Sequence, residues 1–163
     1  MKKQTVNLKV SAKAGMISYS SNVGKVKVDH KGKVTIPAKF SGDVAITVTA
    51  SGDANYEDLT RNIKIVVPKS VAVKSVKSSA KKTVTVKWKK EKNVKGYQIQ
   101  YSLRKDFKNA KIKTVKNSKT TFLKINKLKA NKKYYFRIRT YRTEQKKKYY
   151  SNWSNAKKVT IKK

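Results

Sequence analysis

The side chains best equipped for chemistry in this sequence are cations set close to aromatic rings. Arg142, Lys146, Lys147, Lys148, Tyr149 and Tyr150 bring a guanidinium, three ammonium groups and two rings into one short stretch. Such a group could grip phosphate oxygens while a ring stacks on a base or sugar, so these six residues form the candidate ligand-binding set. A solvated turn in a lysine-rich protein would look the same. Catalysis finds few materials. There is no Cys, and the single His, His30, falls beside turn-forming residues, so no nucleophile and base are paired. Asp53, Glu57 and Asp58 are the one acidic cluster. Their spacing fits no twelve-residue calcium loop, and loop acids of this kind are ordinarily solvated. No phosphate-binding glycine loop or dinucleotide fingerprint occurs. The sequence therefore names no catalytic residue, no metal ligand and no cofactor.

The elements that position the basic set read as strands. In residues 128–142, Tyr134, Phe136, Ile138 and Thr140 alternate with Tyr135, Arg137, Arg139 and Tyr141. A period of two marks a strand buried on one face. The other face interleaves rings with guanidinium groups, a stabilising juxtaposition. Further alternating runs include Val6, Leu8 and Val10; Ile17 and Tyr19; Val26 and Val28; Val34 and Ile36; Val44, Ile46, Val48 and Ala50; and Ile63, Ile65 and Val67. Later runs include Val84, Val86 and Trp88; Tyr97, Ile99 and Tyr101; Thr121, Leu123 and Ile125; and Val159 and Ile161. Between them fall turn signals at Gly32, at Ser41-Gly42-Asp43, in residues 51–55 and in residues 143–148. No helical period appears. Short strands spaced in this way predict an all-β sandwich or barrel.

Charge divides the chain. Residues 1–68 carry 11 Lys and Arg against 5 Asp and Glu, a net +6, whereas residues 69–163 carry 32 against 3, a net +29. Both Trp and seven of the nine Tyr lie beyond residue 85. Val67-Pro68-Lys69-Ser70 supplies the break, because Pro fixes its own φ and biases its predecessor to extended geometry. Two domains follow, 1–68 and 69–163. A total of +35 favours polyanions at low salt, and it equally keeps a β protein soluble and blunts its edge strands. No apolar run is long enough to span a membrane, and Met1-Lys2-Lys3 leads into polar residues rather than a signal-peptide core.

Tyr19-Ser20-Ser21-Asn22, the runs 25–29 and 32–36, and the run 42–50 together resemble a bacterial Ig-like repeat of Gram-positive surface proteins, over about residues 4–67. Val84-x-Val86-x-Trp88, the run 96–101, the run 128–139 and the closing run 151–161 resemble a fibronectin type III domain, over about residues 70–163. The most specific feature is Leu128 followed six residues later by Tyr134, the spacing of a tyrosine corner. That resemblance implies that the Tyr134 hydroxyl bonds back to backbone near Leu128 and that Trp88 is the core tryptophan. Tyr150-Ser151-Asn152-Trp153-Ser154 resembles the WSxWS box of cytokine-receptor type III domains. It implies a structural ladder in which Trp153 intercalates between Arg137 and Arg139.

The expectation is two tandem Ig-like and fibronectin III-like β-sandwiches forming a non-catalytic extracellular spacer or adhesion module. The alternative is an accessory domain pair of a secreted polysaccharide- or peptidoglycan-degrading enzyme. The expected setting is extracellular or wall-associated, as part of a larger secreted protein. Expected partners are anionic polymers of wall or matrix, or glycans or proteins of a host or neighbouring surface. A monomer is expected, with no specific nucleic-acid readout and no membrane insertion.

Overall fold

The computed structural model describes residues 3–13 and 15–163. Met1 and Lys2, on which the expectation of no signal-peptide core rests, lie outside the described residues. The chain divides into two compact units, Met1–Val67 and Pro68–Lys163. Both are all-β, and every strand pairing is antiparallel.

The first unit holds β1 (Gln4–Asn7), β2 (Ile17–Ser21), β3 (Lys27–Val28), β4 (Lys33–Ile36), β5 (Gly42–Ala50) and β6 (Leu59–Val67). They form two three-stranded sheets, β1-β4-β3 and β2-β5-β6. Val34 and Ile36 from one sheet and Val44, Ile46 and Val48 from the other meet in a single core, which makes the unit a sandwich. Val6 and Val10 are each 37% exposed, and Leu8 between them packs against this core. One reading from the sequence is corrected here. Gly42 and Asp43 belong to β5 rather than to a turn. The turn lies earlier, where Phe40 N donates to Pro37 O at 3.3 Å and Lys39 takes a left-handed φ of 68°.

The second unit holds β7 (Val73–Ala80), β8 (Thr83–Trp88), β9 (Gly96–Ser102), β10 (Lys111–Val115), β11 (Phe122–Ile125), β12 (Lys133–Glu144), β13 (Lys147–Tyr150) and β14 (Lys157–Thr160). One sheet runs β11-β8-β7. The other runs β10-β9-β12-β13, with β14 also pairing with β12. Val84, Val86 and Trp88 face Ile99, Tyr101, Phe136 and Ile138 across a core that also takes in Leu128, Tyr134 and Ile161. Tyr101 and Phe136 stack with ring centroids 6.0 Å apart. The twelve-residue β12 is the spine of this unit, since it touches strands on both sides and carries the candidate groups on its outer face.

Candidate functional site: an arginine and aromatic ladder

Register builds the site. β12 pairs with β9 so that Arg137 lies opposite Gln100 and Arg139 opposite Gln98. Residues directly opposite on one face are within side-chain reach. Arg137 Nε donates to Gln100 Oε1 at 2.7 Å, and Arg139 donates to Gln98 Oε1 through Nε at 2.9 Å and Nη2 at 2.7 Å. Each guanidinium is thereby fixed side-on, with its planar faces turned along the strand.

The segment after β13 then lays rings between those planes. Ser151 N donates to Thr140 O at 3.1 Å, and Ser154 N donates to Ile138 O at 2.8 Å. In return the two hydroxyls accept, Ser151 Oγ from Thr140 N and Ser154 Oγ from Ile138 N, both at 3.1 Å. Two serines thus clip the segment to alternate residues of β12, and Trp153 is held over the outer face. Its ring lies 5.0 Å from the Arg137 Cζ and 4.3 Å from the Arg139 Cζ. Two further rings close the ends: Phe107 at 4.0 Å from Arg137 and Tyr150 at 3.9 Å from Arg139. The order is Phe107, Arg137, Trp153, Arg139, Tyr150. Burial pulls both guanidinium pKa values below the usual arginine range; at Arg139 the neighbouring Arg137 adds to this and Tyr150 opposes it. The ladder therefore joins the turn after β9, β12 and the segment after β13.

Phe107 and Tyr150 were not legible as rungs. Phe107 lies in a turn with φ 61°, outside any alternation. The sequence groups Tyr150 with the ligand-binding set. It faces outward because β12 and β13 are joined by only Gln145 and Lys146, which places Tyr150 opposite Tyr141. Both linking residues have φ above zero, at 45° and 63°, the signature of a two-residue type I′ hairpin. Residues 143–148 are thus mostly strand rather than loop.

The hairpin changes the reading of the basic set. Arg142 pairs with Glu144, Tyr150 is stacked under Arg139, and Lys147 Nζ sits 5.6 Å from the Tyr149 ring. Lys148 Nζ is 5.9 Å from the ring of Tyr141, which is buried on the outer face rather than displayed. Lys146, Lys147 and Lys148 remain exposed. The tip therefore offers cations, but its rings already carry the chain's own cations.

At the other end of β12, the Tyr134 hydroxyl accepts from Lys129 N at 3.3 Å, one residue past the buried Leu128. In the first unit Asp43 pairs with Lys64 at 3.1 Å, and three other acids serve backbone. Asp53 Oδ1 accepts from Asn55 N at 2.9 Å and Asp58 Oδ1 from Gly52 N at 2.7 Å. Asp29 accepts from Lys31 and Lys33 amides, and the Lys33 bond leads in lowering its pKa. Among the described residues no three His, Asp or Glu side chains gather as a metal site, and no helix is long and apolar enough to cross a membrane.

Comparison with known proteins gives one family: the model of the fibronectin type III domain matches residues 67–157. No curated protein matches the chain. Among solved structures, the FN1–FN3 domains of chicken CNTN1 are similar at 17% identity and a TM-score of 0.48, with 99% of this chain covered. The chain spans 62% of the length of that protein's chain.

Proposed function

The chain belongs to the fibronectin type III family through residues 67–157, and on that premise we propose that it is a non-catalytic extracellular spacer and adhesion module with weak affinity for anionic polymers. One observation carries the polymer reading. All three acidic side chains of the second unit are already paired within it. Glu91 meets Lys69 at 2.9 Å, Asp106 meets Arg104 at 2.6 Å, and Glu144 meets Arg142. Apart from Arg137 and Arg139 in the ladder, the remaining cations are exposed and spread over strands and turns, with no recognition helix and no glycine-rich phosphate loop to concentrate them. Charge of that kind attracts without reading sequence. The ladder supports the spacer half of the reading, because it stiffens the sheet along its length. The paired three-stranded sheets of the first unit support reading it as an Ig-like spacer repeat. The polymers in view are those of a cell wall, a matrix or a neighbouring surface, met by a monomer.

Titrating the full chain with heparin and with duplex DNA at two salt concentrations tests this. For DNA, log K is expected to fall with log salt at about 0.9 per phosphate neutralised, whatever the base sequence. Replacing Lys146, Lys147 and Lys148 with Ala together is expected to weaken all polyanions modestly and equally. Salt-insensitive binding, or binding confined to a neutral sugar, would overturn the reading.

A further inference from the structure

We propose that a cavity of about 510 Å³ at the Tyr134 end of β12 binds a sugar or polyol unit bearing a phosphate or sulfate ester. This inference rests on the anionic-polymer reading above and gives that attraction one defined site. The cavity lies between residues 103–110, which join β9 to β10, and residues 126–132, which join β11 to β12. Lys108, Lys111, Lys127 and Lys129 line it, with Tyr101 and Tyr134 beneath them. The hairpin tip that the sequence singled out sits at the opposite end of β12, so the two are separate places.

Three observations make this a built site rather than a patch of surface lysines. The first is charge. Arg104 also lines the cavity, but Asp106 neutralises it through Nε at 3.1 Å and Nη2 at 2.6 Å. None of the four lysines has an acidic partner among the described residues. Four uncompensated ammonium groups around one cavity call for a multiply charged or oxyanion-bearing occupant.

The second is an unused donor. Tyr101 is only 6% exposed, yet its hydroxyl makes no hydrogen bond among the described residues, while that of Tyr134 accepts from Lys129 N. The ring is held in the core, but the hydroxyl itself is not sealed off and reaches the cavity surface, so it is free to donate to an occupant. Like any phenol it is a neutral donor at neutral pH, suited to an ester oxygen; burial, with Tyr134 close by, pushes its pKa further up.

The third is order before binding. Phe107, Asn109 and Lys127 take left-handed φ values of 61°, 55° and 59°, uncommon for residues other than glycine and a genuine outlier for a ring as bulky as Phe. The 103–110 turn is held there from several sides. The Phe107 ring stacks on Arg137 as the end rung of the ladder. Ser102 Oγ accepts from Arg104 N at 3.1 Å and donates to Lys108 O at 3.3 Å, and Asp106 Oδ1 accepts from Lys108 N at 3.0 Å. The facing loop is tied down where Asn126 Oδ1 accepts from Thr83 Oγ1 at 3.2 Å. Loops ordered in advance lose little entropy on binding. The volume is that of a small-molecule site, far more than a bare oxyanion fills. Leu103, exposed in the lining, and the edges of the two tyrosine rings supply apolar area for a ring or chain of carbons.

The test is amide and ring NMR on the full chain titrated with glucose 6-phosphate, glucose 6-sulfate, glucose and inorganic phosphate. Either ester is expected to shift the Tyr101 ring and the amides of 103–110 and 126–132. Glucose is expected to do nothing, and inorganic phosphate to bind several-fold more weakly. A stronger response to phosphate or to sulfate identifies the polymer source, a phosphopolyol or a sulfated glycan, and both support the site. Tyr101→Phe keeps the stacked ring and removes the donor, so the esters are expected to bind about tenfold more weakly. Lys108→Glu with Lys127→Glu is expected to abolish ester binding, while Lys89→Glu with Lys92→Glu leaves it unchanged. Equal loss from both pairs, or equal affinity for phosphate and glucose 6-phosphate, would refute the pocket and leave the delocalised attraction for heparin standing. Ester binding at the pocket without any heparin affinity would instead sink the polymer reading.

Discussion

Trp153→Ala removes the central rung of the ladder, and the structure bounds what that costs. Two guanidinium contacts are lost, at 5.0 Å and 4.3 Å. Contacts of this type contribute about 0.5–1 kcal/mol when exposed and about 2 when desolvated. Trp153 is half-buried, which places each near about 1 kcal/mol, and lost packing of the indole adds about 1 more. The cost stops there because neither guanidinium is orphaned. Arg137 keeps Phe107 and Gln100, and Arg139 keeps Tyr150 and Gln98. The expected destabilisation of the second unit is therefore about 2–3 kcal/mol. For a unit of this size, 1 kcal/mol moves Tm by about 4–8 °C, so its transition is expected to fall by roughly 10–20 °C. Urea and thermal unfolding of the full chain, followed by calorimetry and near-UV circular dichroism, measures it. Trp153→Phe is expected to recover part of the loss, since Phe offers a weaker ring face. A change below about 0.5 kcal/mol, the level of an ordinary surface substitution, would refute the ladder as a stiffening device.

Three further outcomes are expected. Tyr134→Phe removes one hydroxyl that accepts from Lys129 N and should cost about 1 kcal/mol in urea unfolding; no change would mean that the corner is held by packing alone. Gly96→Ala sets a Cβ at 2.1 Å from Val115 O and 2.9 Å from Tyr141 Oη, so overpacking should cost about 1–3 kcal/mol, and wild-type stability would show that β10 shifts freely. The Asp106 carboxyl is held down to about 2, first by Arg104 and then by the Lys108 amide. A folded pKa below the usual 3.8 means that its contribution is present above about pH 4 and lost as pH falls through about 2. The Tm difference between wild type and Asp106→Asn should hold steady above pH 4 and close toward pH 2, and a carboxyl that titrates by NMR at its ordinary value would contradict this.

Strand alternation carried most of the fold. Tyr134, Phe136, Ile138 and Thr140 are all buried, as a period of two requires when one face meets a core. The outer face was harder to read. Which ring lands on which guanidinium depends on hairpin register, and register turned on Gln145-Lys146, a pair without the Asn-Gly signature of a tight turn. That hid the role of Tyr150. Phe107 was hidden for another reason. It reaches Arg137 from a left-handed turn, and local periodicity says nothing of side chains that return to a sheet from outside it. The cavity was illegible because Tyr101 reads simply as a core residue and Tyr134 as the tyrosine corner, while the lysines above them come from two separate loops and the start of β10. In the first unit, Val6 alternates correctly yet stays partly exposed, because β1 is a short edge strand whose outer side meets no further strand.

The most direct test of the account is where an anionic polymer touches the second unit. The chain has two tryptophans, Trp88 buried in the core and Trp153 inside the ladder, and so gives two indole N–H signals by NMR. During a heparin oligosaccharide titration of the full chain, shifts are expected at amides beside the exposed lysines, strongest at residues 103–110 and 126–132. They should shrink as salt rises, and both indole signals should stay in place. A large, salt-resistant shift of the Trp153 indole would contradict the account, because it would make the ladder the binding surface instead of the scaffold.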